Sequence, residues 1–186
     1  YPLMQALDIE YLDVDVAIGG IEQRKIDMLA REALPKLDYR KPTCLHHPLV
    51  VSLTGGDKMS SSKPETMFPL HASEETIKER IKDAYCPQGE VEENPVVQVA
   101  RFHIFGDDEN LEIERPEEYG GDLTYDSLEN LKEDFGSGDL HPQDLKNAVA
   151  DHIAEKLKPV RERFKENPEL LECLEEIGHE KPDYIE

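Results

Sequence analysis

The chain has 186 residues, 42 acids against 21 lysines and arginines, a net charge of -21 and three scattered cysteines, Cys44, Cys86 and Cys173. That length allows one large domain or two small ones, and cysteines without a Cys-x-x-Cys pair argue against a disulfide framework or zinc knuckle and read as packing residues. With no apolar run of the roughly 18 residues that span a bilayer and no charged-then-apolar leader, a cytoplasmic protein with no membrane partner is expected, and the Tyr1 start suits a piece of something longer.

In chain order, Tyr1, Gln5 and Asp8 stand four and three apart, so a helix would put them on one face. Gly19-Gly20 then introduces a helix, with Gln23 at its start and Ile26, Leu29, Ala30, Ala33 and Leu34 recurring at helical spacing until Pro35 closes it. Tyr1, Gln5, Asp8 and Gln23 together offer a phenol, two amides and a carboxylate, groups able to bind an ammonium and a hydroxyl, although such spacing also describes a solvated face.

Thr43–His46 and Leu49–Leu53 read as extended segments leading to Gly55-Gly56-Asp57-Lys58-Met59-Ser60-Ser61-Ser62-Lys63-Pro64. His46 and His47 are adjacent, so on a strand their rings point to opposite faces and do not share a metal. Two ammonium groups around three hydroxyls suit a polyphosphate, and a strand ending in a phosphate loop is the layout of an open α/β sheet. The run is not a Walker A motif, and a flexible surface loop would have the same composition.

Beyond residue 70 the pattern turns helical. Ser73 caps a helix with Ile77, Ile81, Ala84 and Tyr85 on one face, and Pro95 opens another with Val96, Val99 and Ala100. Residues 107–125 read as an acidic, turn-rich insertion; Asp126 or Ser127 then caps a short helix through Leu131 and Phe135 that ends at Gly136-Ser137-Gly138. His141-Pro142 begins the longest helix, running past Val160 to Phe164 with a bend at Pro159, and a Glu-rich helical tail follows Pro168.

The charge is uneven. Residues 1–70 hold 10 acids against 8 bases, whereas residues 71–186 hold 32 against 13. Such a field repels nucleic acid in dilute buffer, which a high-salt habitat would reconcile by screening. Thermal stability is then expected to rise in molar KCl; a midpoint highest in dilute buffer would sink that explanation. Lys146, Lys156, Lys158, Arg161, Arg163 and Lys165 concentrate the positive charge of this half, either as a solvated face or as a strip for a nucleic-acid backbone.

Taken in order, Tyr1-Pro2-Leu3-Met4-Gln5-Ala6-Leu7-Asp8, Val14-Asp15-Val16-Ala17-Ile18-Gly19-Gly20-Ile21-Glu22-Gln23-Arg24, Lys58-Met59-Ser60-Ser61-Ser62, Ala84-Tyr85-Cys86-Pro87, Gly120-Gly121-Asp122-Leu123 and His141-Pro142-Gln143-Asp144-Leu145-Lys146-Asn147 closely resemble class I tyrosyl-tRNA synthetases of the archaeal and eukaryotic type. The resemblance implies an α/β portion followed by a mostly α one. Residues 1–70 would be the C-terminal half of a Rossmann-type catalytic domain, and 71–186 a helical anticodon-binding domain.

It also implies roles. Asp8 matches the acceptor for the tyrosine phenol, while Tyr1, Gln5 and Gln23 match groups that hold the substrate's polar atoms. Lys58, Ser60, Ser61 and Ser62 match the ATP loop, with Lys58 and Ser61 contacting the nucleotide. Tyr119 matches an aromatic that stacks on an anticodon base, and His141 and Asp144 match residues beside that base. The whole enzyme would join L-tyrosine to tRNA-Tyr using ATP with Mg2+, as a homodimer.

The family's His-Ile-Gly-His-type ATP motif has no counterpart from Tyr1 onward, so this chain by itself is expected not to aminoacylate. Two other readings stand beside this one: a tryptophanyl-tRNA synthetase, against which Asp8 argues because a phenol needs a placed acceptor, and a non-catalytic fragment that binds RNA or protein.

Overall fold

In the computed structural model, which describes residues 1–56, 59–60, 63–107 and 109–170, the chain opens with helix α1 (Pro2–Tyr11). Pro2 suits the first turn because its fixed φ is helical and its missing N–H would have had no partner there. Ala6 and Ile9 lie one turn apart on the buried face and share a small core with Ala30 and Leu34.

Strand β1 (Val16–Gly20) runs parallel to β2 (Thr43–His47), with Val16 opposite Thr43 and Gly20 opposite His47. Parallel strands need a long crossover, here carried by helix α2 (Arg24–Ala33). The α-helix stops at Ala33, and Leu34–Leu37 continue as a tighter turn ending at Asp38 with φ of 62°. Leu34 is nonetheless buried, so the expected apolar face survives the change of geometry.

These elements make the first compact unit, Tyr1–Leu49, and Val50–Glu186 make the second. The division falls there because Leu53, fully buried, belongs to the core of the helical unit with Ile77 and Ile81. The strand expected over Leu49–Leu53 reduces to a single bridge at Val51, because the chain turns at Ser52–Gly55, where the Gly55 N–H donates to the Ser52 carbonyl at 2.8 Å.

Helix α3 (Glu74–Asp83) is capped by Ser73, whose Oγ accepts from the Thr76 N–H, and it buries Ile77 and Ile81. Ala84 and Tyr85 were expected on the same face, but the helix ends at Asp83; Ala84 is extended and buried, while Tyr85 turns outward. Helix α4 (Pro95–His103) starts at its proline, with the fully buried Asn94 accepting from the N–H groups of Val96 and Val97.

Inside the stretch that composition marks as irregular lies a hairpin of β3 (Leu111–Ile113) and β4 (Leu123–Tyr125). Leu111 and Ile113 face the core while Glu112 faces out, the two-residue period of a half-buried strand. Helix α5 (Leu128–Ser137) is capped by Ser127 and ends at Gly138, whose φ of 91° favours glycine.

His141 caps helix α6 (Pro142–Lys156), and α7 (Lys158–Glu166) follows after a break at Leu157. The expected single bent helix is therefore two helices, with Pro159 in the first turn of α7, where its lack of an N–H costs nothing. The tail helix expected after Pro168 and Cys173 fall mainly on 171–186, outside the described residues. Among the described residues no helix is long and apolar enough to cross a membrane.

Candidate functional site

In the first unit, α1 brings Gln5 to Gln23. The two side chains share one hydrogen bond, Gln5 Nε2 donating to Gln23 Oε1 at 3.1 Å. Gln5 Oε1 is buried and accepts from none of the described residues, a state that costs free energy until a donor arrives. Gln23 closes the short turn that follows β1, so the amide pair lies at the carboxyl end of a parallel strand, where open α/β sheets bind ligands. Gly19 fits here because a Cβ would press against Gln23 Cβ and Cγ at 3.4 Å.

Tyr1, the residue that precedes α1, is 82 % exposed and Asp8 is exposed on α1, and neither side chain has a hydrogen bond or ion pair among the described residues. They are available to a ligand. Sequence reasoning missed a second pair, Asp27 and His46, whose Oδ2 and Nε2 stand 2.8 Å apart. Asp27 is 4 % exposed and four residues after Gln23, so the contact ties the helix that Gln23 leads to strand β2. The signal was an acid at the same helical spacing as Ala30 and Leu34. Burial raises the Cys44 thiol pKa and the Asp27 charge adds to it.

Of the serine loop, Lys58, Ser61 and Ser62 lie outside the described residues; Ser60 is half-buried at the loop's base. That base is closed by backbone bonds, Met59 N–H to the Val50 carbonyl at 3.1 Å and Leu53 N–H to the Thr66 carbonyl at 2.9 Å. Buried Thr66 stitches it from inside: Oγ1 accepts from the Ser60 N–H at 3.1 Å and offers its proton to the carbonyls of Lys63 at 2.7 Å and Ser60 at 3.0 Å. Gly55 and Gly56 have φ of 82° and 80°, and a Cβ on Gly55 would lie 2.9 Å from the Tyr85 ring.

In the second unit, Tyr119 closes a single tight turn, Glu117–Tyr119, between β3 and β4, and its ring is 66 % exposed. Gly120 and Gly121 follow at φ of 99° and 73°. His141 Nδ1 accepts from the Gln143 N–H at 3.1 Å, which fixes that ring at the entry to α6, and Asp144 sits in the helix's first turn, where a carboxylate is favoured. One guanidinium joins the two places. Arg115 donates from Nε to the Gly121 carbonyl at 2.7 Å and from Nη1 to the Asp139 carbonyl at 3.3 Å, and its N–H meets Asp122 Oδ1 at 3.0 Å.

The basic strip is largely consumed within the chain. Lys146 Nζ donates to the Lys82 carbonyl, and Lys156 reaches the His103 carbonyl, Asp107 and Glu109. Lys158 pairs with Glu155, and Arg161, 7 % exposed, donates to the Ala154 carbonyl at the end of α6. Hydrogen bonds from His152 and then Lys156 hold the Glu109 carboxyl below its usual range. Four of the six cations thus have partners within the chain, an arrangement that spacing along a helix could not reveal.

A half Rossmann unit with ligand-ready amides, joined to a helical unit that exposes an aromatic ring, defines part of a class I aminoacyl-tRNA synthetase. The family model described as tRNA synthetases class I (W and Y) matches residues 1–158, and the chain belongs to that family.

A tyrosine--tRNA ligase from Methanopyrus kandleri is 54 % identical over 161 residues, 87 % of this chain and 49 % of that protein. The crystal structure of tyrosyl-tRNA synthetase complexed with L-tyrosine from Archaeoglobus fulgidus superposes with a TM-score of 0.79 at 51 % identity, covering 88 % of this chain and 51 % of that one. Tryptophanyl-tRNA synthetase from Giardia lamblia is more distant, with a TM-score of 0.59 at 25 % identity over 80 % of this chain and 35 % of its own, so the tryptophan reading is not favoured. The chain spans about half the length of the relatives it matches.

Proposed function

We propose that this chain is the C-terminal portion of a tyrosine--tRNA ligase. The observation that carries the reading is the Gln5–Gln23 amide pair, with one buried acceptor awaiting a donor. An ammonium supplies that donor, and Asp8, one turn further along α1, supplies the acceptor that a phenol hydroxyl needs. Tyr1 borders the same helix.

The substrate's carboxylate would attack the α-phosphate of ATP, bound as its magnesium complex, and pyrophosphate would leave with its charge met by Lys58 and the hydroxyls of Ser60, Ser61 and Ser62. Thr66 and the paired backbone would hold the ends of that loop. The acyl group would then pass to tRNA-Tyr, with Tyr119 stacking on an anticodon base and His141 and Asp144 beside the base edge. The functional division is residues 1–70 for chemistry and 71–186 for the anticodon. The whole enzyme would be a cytoplasmic homodimer.

The test uses the full-length parent enzyme. ATP–pyrophosphate exchange should depend on tyrosine, and Asp144→Ala should weaken charging of tRNA-Tyr while exchange persists. Exchange driven by tryptophan would overturn the amino-acid assignment, and equal loss of both steps in Asp144→Ala would overturn the anticodon role.

A further inference from the structure

We propose that Arg115 is a positioning residue that sets the spacing between Tyr119 and the His141–Asp144 edge, and so determines how sharply an anticodon is read. This inference rests on the anticodon role given above. The ring of Tyr119 is carried by the connection between Ile113 and Leu123, a hairpin tip whose only regular element is one tight turn. Tips of this kind wander unless something outside them fixes their path. Here the turn's own bonds run from the N–H groups of Tyr119 and Gly121 to the Pro116 carbonyl at 2.9 and 3.2 Å. Those bonds shape the turn but do not orient it toward α6.

Arg115 does both. Its N–H and Nε fasten the two sides of the tip through Asp122 and Gly121, while Nη1 reaches the Asp139 carbonyl. Asp139 precedes Leu140, which is fully buried, and His141, which caps α6. The far end of the strut is therefore anchored in the core. A Cβ on Gly120 would lie 3.1 Å from Arg115 Nη2, so the guanidinium lies against the tip backbone immediately beside Tyr119.

The chemistry favours arginine. A planar guanidinium presents donors in fixed, divergent directions and can hold two carbonyls on different segments at once. A lysine keeps the charge but offers a single mobile ammonium. Lysine should thus preserve any attraction to phosphate and lose the spacing.

The experiment uses the chain of 186 residues and two fluorescent hairpin RNAs, one with a tyrosine anticodon in its loop and one with those bases replaced. Binding is measured by anisotropy for the unaltered chain and for Arg115→Lys, Arg115→Ala, Tyr119→Ala and Asp144→Ala, with a thermal melt of each variant. Base stacking is worth enough for the wild-type preference between the hairpins to fall by about tenfold or more in both Arg115 variants. Arg115→Lys should leave affinity for the altered hairpin unchanged.

A merely destabilising change would weaken both RNAs together and leave the preference intact. Arg115→Lys that discriminates like the unaltered chain would overturn the strut in favour of a charge contact, and full discrimination by Arg115→Ala would remove any role. If Tyr119→Ala and Asp144→Ala also leave the preference unchanged, or the unaltered chain shows none, the anticodon reading itself falls.

Discussion

Asp8→Ala in the full-length parent enzyme is expected to lower kcat/KM for tyrosine in ATP–pyrophosphate exchange by about 10- to 100-fold. That range follows from a hydrogen bond to a charged group, worth roughly 1.5–3 kcal/mol, at about 1.36 kcal/mol for each tenfold in rate. The carboxylate is exposed on α1, whereas the helix is held by Ala6 and Ile9 on its opposite side. Removing Asp8 should therefore leave packing almost unchanged, with stability within about 0.5 kcal/mol of the parent.

Selectivity is the more diagnostic readout. If Asp8 accepts from the phenol as proposed, phenylalanine would leave a desolvated acceptor without its donor, and with alanine there that penalty would vanish. The ratio of tyrosine to phenylalanine activation should collapse along with the rate. Asp8→Asn should fall between, since the amide oxygen still accepts but carries no charge. A variant as fast and as selective as the parent would show that Asp8 makes no substrate contact.

Much of this was legible in the sequence, because the strongest signals were local. Ser73, Pro95, Ser127 and His141 start the helices expected of them, since a cap or a proline acts on its own first turn. The Tyr1, Gln5 and Asp8 spacing proved helical, and Gln23 met Gln5. What escaped notice depends on partners remote in sequence. The hairpin around Tyr119 has strands of three residues each, too short for a periodic signal, and it exists because Leu111, Ile113 and Tyr125 find a core elsewhere.

Long-range polar contacts were equally hidden. Nothing in the sequence marks Thr66, whose hydroxyl sits between the carbonyls of Ser60 and Lys63. Nothing local sets Asp27 apart from the other acids or Arg115 from the other bases, because the partners of both lie far along the chain. The partners of the lysines of α6 and α7 were hidden for the same reason, since composition counts charges and says nothing of the carbonyls and carboxylates that face them.

Phe135→Ala should destabilise the helical unit by about 3–5 kcal/mol, the range for emptying a fully buried aromatic site. Phe135 has no exposed surface and lies in the same core as Leu131, Leu140 and Leu145, with α5 packed on α4 and β4. Against a total of roughly 5–15 kcal/mol for a domain, that is a large share. The urea midpoint of the helical circular-dichroism signal should fall by roughly 1–5 M, taking the usual dependence on denaturant for small proteins. Phe135→Leu, which keeps most of the volume, should cost much less.

The consequence reaches the candidate anticodon surface because α5 ends at Gly138, only three residues before His141. Its docking places Asp139, Leu140 and the first turn of α6. Loss of RNA binding in Phe135→Ala should accordingly follow the unfolded fraction and disappear on cooling or in Phe135→Leu, whereas loss in Tyr119→Ala should persist in a fully folded chain. A urea midpoint lowered by less than about 0.5 M would mean that neighbouring side chains close over the vacated space, and that the position of α6 does not depend on this ring.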